Sequence, residues 1–363
     1  MQLLTDILVS ILASYLAFTN FLADNIEDLL SSEIESEIVI NEASPEIENG
    51  ISSLPSKREH AIPDVLLRSA KYQSAAISSS AGLTGATTKD PFDAIVNVFC
   101  TLKTKDSIRT TTGSGFFIDP DGVIMTNAHV AQFLLLEETD TFGEAECTIR
   151  DGNPASPKYK AELLYISPAW IQENAGVMSA TVPMGTGERD YALLYVSERI
   201  DGSPLPATFP ALGFDTSLLP LSTRNDQVLA AGYPAKPLLE NGPSADLIPR
   251  KATTTVSELY TFGSNHADVF SIRGSEVGTE GSSGGPVLNS QGDVIGIIVT
   301  RGDDASDGQG SLRAITLSHI QETILQETRF DLERNLGGNL AFRSQIFAET
   351  MTPFLLTILQ QAN

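Results

Sequence analysis

Short apolar runs, each bounded by glycine or polar turn residues, recur along the middle of the chain. Residues 116–118 and 123–125 are two such runs, and the sequence D-P-D-G at 119–122 separates them. Short apolar runs bounded by turn residues predict β-strands, and D-P-D-G predicts a tight turn between this pair. The same pattern predicts further strands at 97–102, 146–150, 159–166, 253–256 and 269–272. A mainly β fold is therefore expected for this part of the chain.

The first 23 residues carry a different pattern. Residues 3–22 are mostly apolar, and Asp6 is the one charged residue among them. A helix of about 20 apolar residues is long enough to cross a bilayer. A secretory signal normally begins with positive charge, however, and the first lysine or arginine of this chain is Lys57. We therefore predict an uncleaved membrane anchor or an unusual signal sequence at 1–23. An amphipathic helix that packs on a partner or on the rest of the chain is the alternative.

Two further regions flank the β-rich part. Residues 24–91 hold an acidic stretch and then small polar runs such as 78–82, and this composition predicts a flexible linker. Residues 326–363 form a C-terminal tail, whose one amphipathic stretch at 351–359 is too short to span a membrane. We expect this tail to be helical and to dock on the fold or on a partner.

The main candidate for chemistry is the glycine-rich sequence G-S-S-G-G-P-V at 281–287. Glycine permits backbone turns that are closed to other residues and lets a substrate approach closely. Ser283 on such a turn could present its hydroxyl to a carbonyl group. The amides of Gly281 and Ser283 could then hold the oxygen that becomes negative. A glycine-rich turn between two strands, with no chemical role, is the alternative.

A serine nucleophile needs a base, usually histidine, and an acid that orients the base. Of the four histidines, His129 ends the second strand of the D-P-D-G hairpin, and we select it as the base. His60, His266 and His319 lie in a polar linker, a polar loop and a helical pattern, and we expect surface or packing roles for them.

Asp190 is the candidate acid. It opens the apolar strand at 191–196, and burying a carboxylate without partners is costly. The position becomes favourable if the carboxylate accepts a hydrogen bond from a histidine. An ordinary turn residue at the start of a strand is the alternative, and that is how we interpret Asp119 and Asp121.

Three motifs follow one another along the chain: T-N-A-H-V at 126–130, D-Y-A-L-L-Y-V at 190–196 and G-S-S-G-G-P-V at 281–287. Together they resemble the trypsin-like serine peptidases, most closely the bacterial HtrA-like branch. The order His, Asp, Ser is that of the chymotrypsin-type fold. The resemblance covers about 92–325 and implies two six-stranded antiparallel β-barrels, the first at about 94–200 and the second at about 227–315. Many HtrA-like proteins carry a PDZ module after the protease, but the tail is too short to hold one.

The resemblance implies a serine endopeptidase that hydrolyses peptide bonds through an acyl-enzyme intermediate, with no cofactor and no metal. The catalytic triad would be His129, Asp190 and Ser283, and the amides of Gly281 and Ser283 would form the oxyanion hole. Ser282 stands where digestive trypsin-like enzymes carry the aspartate that receives a new N-terminus. Activation by that route is therefore not expected.

The substrate pocket can be assigned only by family position. On that basis its walls are formed by Val277, Glu280, Val299, Thr300 and Arg301. The apolar Val277 favours a small or medium apolar residue at the cleaved position, and Glu280 and Arg301 could modify that preference.

The net charge is −23, which disfavours charge-driven binding to nucleic acid. We expect polypeptide substrates, with attachment to a membrane through residues 3–22 and the protease domain outside the cytoplasm. A cytoplasmic location is the alternative. A chaperone-like quality-control protease in an oligomer is one version of the proposed enzyme, although the sequence does not indicate the oligomeric state. A catalytically silent protease fold that acts as a binding module is the alternative function.

The chain has two cysteines, Cys100 and Cys147. By the resemblance they lie on an early and a later strand of the first barrel, which could be neighbours. We expect two buried free thiols, with a disulfide as the alternative. No C-x-x-C or His/Cys cluster indicates a metal site.

Overall fold

The computed structural model describes residues 47–48, 51–54, 67, 69–77, 87–176, 187–242, 245–301 and 310–362. The predicted apolar helix at 1–23 and most of the predicted linker at 24–91 lie outside these residues. Within the described residues, no helix is both long and apolar enough to cross a membrane.

Strands make up most of the described secondary structure. In chain order they are β1 (Ile47–Glu48), β2 (Ile51–Ser53), β3 (Thr87–Thr88), β4 (Ile95–Lys103), β5 (Ile108–Asp119), β6 (Val123–Thr126), β7 (Glu144–Asp151), β8 (Ser156–Ile166), β9 (Ala192–Arg199), β10 (Ala211–Leu212), β11 (Gln227–Gly232), β12 (Arg250–Thr261), β13 (Val269–Ile272), β14 (Pro286–Leu288), β15 (Val294–Arg301) and β16 (Leu312–Thr316).

The helices are short and are concentrated at the C-terminal end. They are α1 (Ala70–Ile77), α2 (Pro91–Ala94), α3 (Ala128–Ala131), α4 (Pro168–Asn174), α5 (Lys236–Asn241), α6 (Leu317–Thr328), α7 (Leu332–Leu336), α8 (Leu340–Thr350) and α9 (Thr352–Ala362). The described residues also form two 3-10 helices, Gln132–Glu138 and Leu221–Thr223.

Two closed barrels form the body of the fold. Strands β4 to β9 close in the order β4-β5-β6-β9-β8-β7. Strands β11 to β16 follow the order β12-β11-β14-β15-β16-β13, and β13 pairs back with β12 to close the second barrel. All neighbouring strands within each barrel are antiparallel. Closure removes the exposed sheet edges that favour aggregation. The two six-stranded chymotrypsin-like barrels implied by the resemblance are confirmed.

The D-P-D-G turn joins β5 to β6 as predicted. The Gly122 amide donates to the Asp119 carbonyl at 3.1 Å, and the Asp121 amide donates to the Asp119 carboxylate at 2.8 Å. Gly122 has a φ of 91°, a left-handed conformation that glycine adopts without strain. The turn therefore fixes the hairpin whose second strand leads to His129.

The C-terminal helices pack on the barrels. Helix α6 continues to Thr328, beyond the predicted end of the protease domain at 325, and it contacts β15 and β16. The tail is helical as predicted, but it forms α7, α8 and α9 rather than a single amphipathic stretch. Helix α9 buries Leu355, Leu356 and Leu359 and contacts α4 and the 3-10 helix at 132–138.

The two cysteines form a disulfide. Cys100 on β4 lies directly opposite Cys147 on β7 in the register of the two strands. Directly opposite side chains have their Cβ atoms about 4.5–5.5 Å apart, which is close to what a disulfide needs. The expectation of two free thiols is therefore wrong. The resemblance allowed the two strands to be neighbours, but the local sequence does not specify the register that places Cys100 directly opposite Cys147.

Loss of the disulfide is expected to destabilise the protein. The bond closes a loop with a sequence separation of 47, and a loop of that size corresponds to about 4 kcal/mol of chain entropy in the unfolded state. The double variant Cys100→Ala/Cys147→Ala should lose free energy of unfolding of that order in urea titrations. As a control, thiol titration of the unfolded wild type should give no reaction before reduction. Free thiols in the unreduced protein would contradict the bond.

A second stability prediction concerns Asp119. Burial raises the pKa of this carboxyl to about 6, with a further contribution from the charge of Asp121, while the hydrogen bond from the Asp121 amide opposes the rise. Because the folded pKa exceeds the unfolded value, the stabilising effect of protonation is fully present below the unfolded pKa. It is lost as the pH rises through about 6.

The variant Asp119→Asn keeps an oxygen that can accept from the Asp121 amide but carries no charge. Its Tm should exceed that of the wild type at pH 7, by about 2 °C or more, and should match it near pH 4. Thermal unfolding followed by circular dichroism at the two pH values measures this. A Tm difference that does not depend on pH would contradict the role of the charge.

Candidate active site

His129 and Asp190 form a buried hydrogen-bonded pair. The Nδ1 atom of His129 lies 2.8 Å from Oδ2 of Asp190, and the backbone amide of His129 donates to Oδ1 at 2.9 Å. Asp190 is 0% exposed and His129 is 4% exposed. Both carboxylate oxygens of Asp190 are therefore hydrogen-bonded to His129. A carboxylate can only accept, so the Nδ1 atom carries a proton and the Nε2 atom of a neutral ring is free to accept one.

Local structure places this pair. Strand β6 ends at Thr126, which pairs with Ala192 at the start of β9. His129 lies just after the end of β6 and Asp190 just before the start of β9, so the pairing of the two strands brings them close together. Between them lies the Asn127 side chain, which is fully buried and donates from Nδ2 to the Asp190 carbonyl at 2.8 Å. Sequence reasoning missed this residue. The available signal was an amide side chain directly after the apolar strand and two residues before His129.

A second group of contacts holds the segment before Asp190. Arg189 has a φ of 57°, and its Nε atom lies 3.2 Å from Oε1 of Glu327 on α6. The same carboxylate accepts from the Tyr165 hydroxyl at 2.6 Å and from the Ser167 hydroxyl at 2.8 Å. Glu327 is 4% exposed, so a buried charge of the closing helix is bound to the residue beside the candidate acid. By the predicted boundary at 325, Glu327 belongs to the tail, outside the protease domain.

The candidate nucleophile lies on a turn of the second barrel. Gly281 and Gly284 on either side of Ser283 have φ values of 90° and 86°, which only glycine adopts readily. The Ser283 hydroxyl donates to the Val299 carbonyl at 3.4 Å, and among the described residues no hydrogen bond joins it to His129. Such bonds are often long in ligand-free enzymes and tighten when substrate binds.

Strand β5 contacts both the segment that carries His129 and the turn that carries Ser283. A Cβ atom on Gly113 would lie 2.5 Å from Cγ2 of Val130, the residue after His129, and 3.3 Å from the Ser283 carbonyl oxygen. The Ser114 amide donates to that same carbonyl at 2.7 Å. The segment that carries His129 and the turn that carries Ser283 therefore meet at Gly113, where a side chain would separate them.

The amides of Gly281 and Ser283 are the candidate oxyanion donors, and their neighbours determine the direction of their N–H groups. The Glu280 carbonyl accepts from the Ala235 amide at 2.6 Å, and the Ser282 carbonyl accepts from the Gly285 amide at 2.9 Å. In a trans peptide the N–H points away from the carbonyl of the same unit, so the Gly281 and Ser283 N–H groups face the opposite side. Neither of these two amides donates to another residue that the structure describes.

The predicted pocket residues lie in two places. Val277 is fully buried in the apolar core of the second barrel, and its carbonyl accepts from the Ser282 hydroxyl at 2.6 Å. Glu280 is exposed, and Val299 is buried on β15. Thr300 and Arg301 continue β15, but their side chains lie outside what the structure describes. The apolar specificity that we inferred from Val277 stays a prediction.

The protein contains another buried His–Asp pair. His319 on α6 is 5% exposed, and its Nδ1 atom lies 3.1 Å from Oδ1 of the fully buried Asp268. Burial would raise the pKa of Asp268, but hydrogen bonding to His319, the charge of that ring and the Phe262 amide hold the pKa below its ordinary value. His266 also faces this carboxylate, at 3.6 Å. Among the described residues, no serine hydroxyl is hydrogen-bonded to His319, so this pair offers a matched control for His129 and Asp190.

Removal of the Glu327 carboxylate is expected to weaken the fold. The variant Glu327→Ala leaves Arg189 as a partly buried charge without this partner, and breaking buried pairs costs about 3–5 kcal/mol. Urea unfolding of the full chain measures the loss. The control is Glu322→Ala on the same helix, where the side chain is 47% exposed and the change should stay within about 0.5 kcal/mol. Equal losses of unfolding free energy in the two variants would contradict a stabilising role for the Glu327 carboxylate.

One known protein family matches the part of the chain that carries these residues. A family model for the trypsin-like peptidase domain matches residues 113–297, half of the chain, from the G-S-G sequence of β5 to the strand after Ser283. No curated protein matches the chain.

Three similar solved structures are of the Rv3671c protease from M. tuberculosis. A mutant in an inactive form is 17% identical, with a TM-score of 0.39, and the match covers 70% of this chain and 97% of that one. The inactive form is 20% identical (TM-score 0.38, 65% and 90% covered), and the active form is 19% identical (TM-score 0.38, 69% and 92% covered).

Proposed function

Because the chain belongs to the trypsin-like peptidase family, whose substrates are polypeptides, we propose that it is a serine endopeptidase with Ser283 as its nucleophile. The observation that carries the proposal is the buried His129–Asp190 pair, in which both carboxylate oxygens hold the histidine. That pair lies beside a glycine turn that leaves two amides without acceptors among the described residues.

The chemistry follows from these positions. Ser283 attacks the scissile carbonyl, and the free Nε2 atom of His129 takes its proton and passes it to the leaving amine. Asp190 fixes the tautomer of the ring and stabilises its cation. The amides of Gly281 and Ser283 hold the developing oxyanion, and each such donor is typically worth a factor of about 10²–10³ in rate. Water then attacks the acyl group while His129 takes a proton from it, and the proton returns to the Ser283 oxygen as the ester bond breaks and the acid product leaves.

Activation of this protease does not require a new N-terminus that inserts beside the nucleophile. Ser282 occupies the position of the aspartate that such an insertion would bind. Its buried hydroxyl already donates to the Val277 carbonyl at 2.6 Å, and this bond braces the turn from within. We therefore expect the chain to reach its active arrangement without that cleavage.

The Cys100–Cys147 disulfide bears on where in the cell the protease works. Stable disulfides are common in exported proteins and rare in the cytosol of most cells. This favours an exported or membrane-anchored protease over the cytoplasmic alternative. Quality control by an oligomer stays one version of the proposal, and size exclusion with light scattering would test the oligomeric state.

A catalytically silent protease fold that binds partners is the rival function. One observation favours it, because the Ser283 hydroxyl is hydrogen-bonded to Val299 rather than to His129. We propose that a bound peptide carbonyl causes the hydroxyl to exchange this partner for the Nε2 atom of His129. The rival predicts that no such exchange leads to cleavage.

Casein cleavage by the full chain separates the two functions. Ser283→Ala should lower kcat by about 10⁶ and leave no measurable cleavage, and His129→Gln should also lose most of the activity. The matched control is His319→Gln, which breaks the other buried His–Asp pair and should retain cleavage within a few-fold. Circular dichroism shows whether each variant folds.

Two outcomes would contradict the assignment. An inactive wild type, indistinguishable from Ser283→Ala, would favour the binding module. Equal losses in His129→Gln and His319→Gln, with both variants folded, would mean that the His129–Asp190 pair has no special role.

A further inference from the structure

The hydroxyl of Ser114 lies between the two barrels and contacts the turn that carries Ser283. We propose that Ser114 is a positioning residue, which holds the Gly281–Ser282 peptide so that the two oxyanion-binding amides converge. This inference rests on the proposed serine peptidase function and adds to it a first-barrel residue that touches no reacting atom.

Four hydrogen bonds fix Ser114. Its amide donates to the Ser283 carbonyl at 2.7 Å, and its hydroxyl donates to the Gly281 carbonyl at 2.7 Å. The hydroxyl also accepts from the Tyr233 amide at 2.8 Å, and its carbonyl accepts from the Thr126 hydroxyl at 2.7 Å. Ser114 is 0% exposed, so no water replaces these partners at the protein surface.

The direction of the hydroxyl is determined by its neighbours. The Tyr233 amide can only donate and the Gly281 carbonyl can only accept, so the Ser114 hydrogen must point at Gly281. A serine hydroxyl offers one donor and can accept at the same time, which is what this position requires. Alanine offers neither, and it would leave a buried amide and a buried carbonyl without partners.

The peptide that Ser114 holds lies between the two donor peptides. The Glu280–Gly281 unit is held by the Ala235 amide, and the Ser282–Ser283 unit is held by the Gly285 amide. The Gly281–Ser282 unit connects them, so its rotation sets the angle between the two N–H groups. Its own amide makes only a long bond, from Ser282 to the Thr279 carbonyl at 3.4 Å. The Ser114 hydroxyl is therefore the short bond on this unit.

Close packing explains why a side chain can reach this point from the other barrel. A Cβ atom on Gly284 would lie 2.0 Å from the Ser114 carbonyl oxygen, and one on Gly232 would lie 3.0 Å from its Oγ atom. The backbones approach so closely because these positions are glycine. Docking of the barrels thereby completes the oxyanion-binding turn.

The effect of losing the hydroxyl should appear in the chemistry more than in the fold. Removal of a whole oxyanion donor costs about 10²–10³ in rate. Because Ser114→Ala loosens the donors without removing them, we expect a loss of roughly 10–10²-fold in kcat, with KM little changed. His129 and Asp190 keep their contacts, so the proton on Nδ1 of His129 should keep its NMR resonance.

The test compares Ser114→Ala with Ser271→Ala in the full chain. Ser271 on β13 is also fully buried, and its hydroxyl bonds to that of Ser257 at 2.8 Å rather than to any residue of the turn at 281–285. The rate of Ser283 labelling by a fluorophosphonate and the rate of casein cleavage are measured for both, together with urea unfolding. Ser114→Ala should label and cleave roughly 10–10²-fold more slowly, while Ser271→Ala stays near the wild type at a similar loss of stability.

Other outcomes count against the proposal in distinguishable ways. Labelling by Ser114→Ala within about two-fold of Ser271→Ala would overturn the positioning role and leave the peptidase assignment intact. A wild type that neither labels nor cleaves would overturn the peptidase assignment, and the positioning role with it. If Ser114→Ala fails to fold, Ser114→Cys fills nearly the same space with only a weak S–H donor. The same rate loss is expected from it, and wild-type rates in that variant would overturn the proposal.

Discussion

The buried carboxylate of Asp190 is the constraint on which the rest of the site depends. Burying an ion costs several kcal/mol unless good hydrogen bonds replace its water. Here the carboxylate, 0% exposed, receives the amide and the ring of His129, while Asn127 holds its backbone carbonyl. The barrel brings these partners together because β6 and β9 are paired strands. Asn127 and His129 follow the end of β6, and Asp190 precedes the start of β9. The ring that satisfies the charge is thereby fixed in the tautomer that a general base needs.

The two barrels carry different parts of the candidate site. The first carries His129 and Asp190, the candidate base and acid, and the second carries Ser283 and its turn. They meet at residues 113 and 114, where the absence of a side chain on Gly113 permits contact and the Ser114 hydroxyl reaches across. From behind, α6 places the Glu327 carboxylate against Arg189, the residue before the acid. Helix α6, which the sequence predicts to be the closing helix of the fold, thus contacts the residue next to Asp190.

The sequence predicted the parts that local patterns encode. Strands around D-P-D-G, the glycine turn and the unusual aspartate before an apolar strand are each visible within about ten residues. The pairing of the strands into two barrels came only through the resemblance. The Cys100–Cys147 bond was predicted only as the alternative, and the Arg189–Glu327 pair was missed. Both join residues far apart in the chain, through contacts that hydrophobic periodicity does not specify. Val277 was assigned to a pocket wall by family position, but its side chain packs into the barrel core.

The most direct test of the central claim is the site of covalent labelling. The full chain is incubated with diisopropyl fluorophosphate, and the adduct is located by peptide mass spectrometry. We predict one adduct, on Ser283, because that hydroxyl lies on the turn whose two amides donate to no described residue, next to the segment that carries His129. No adduct, or an adduct on other serines with Ser283 unmodified, would contradict the claim that this turn carries the nucleophile of a peptidase.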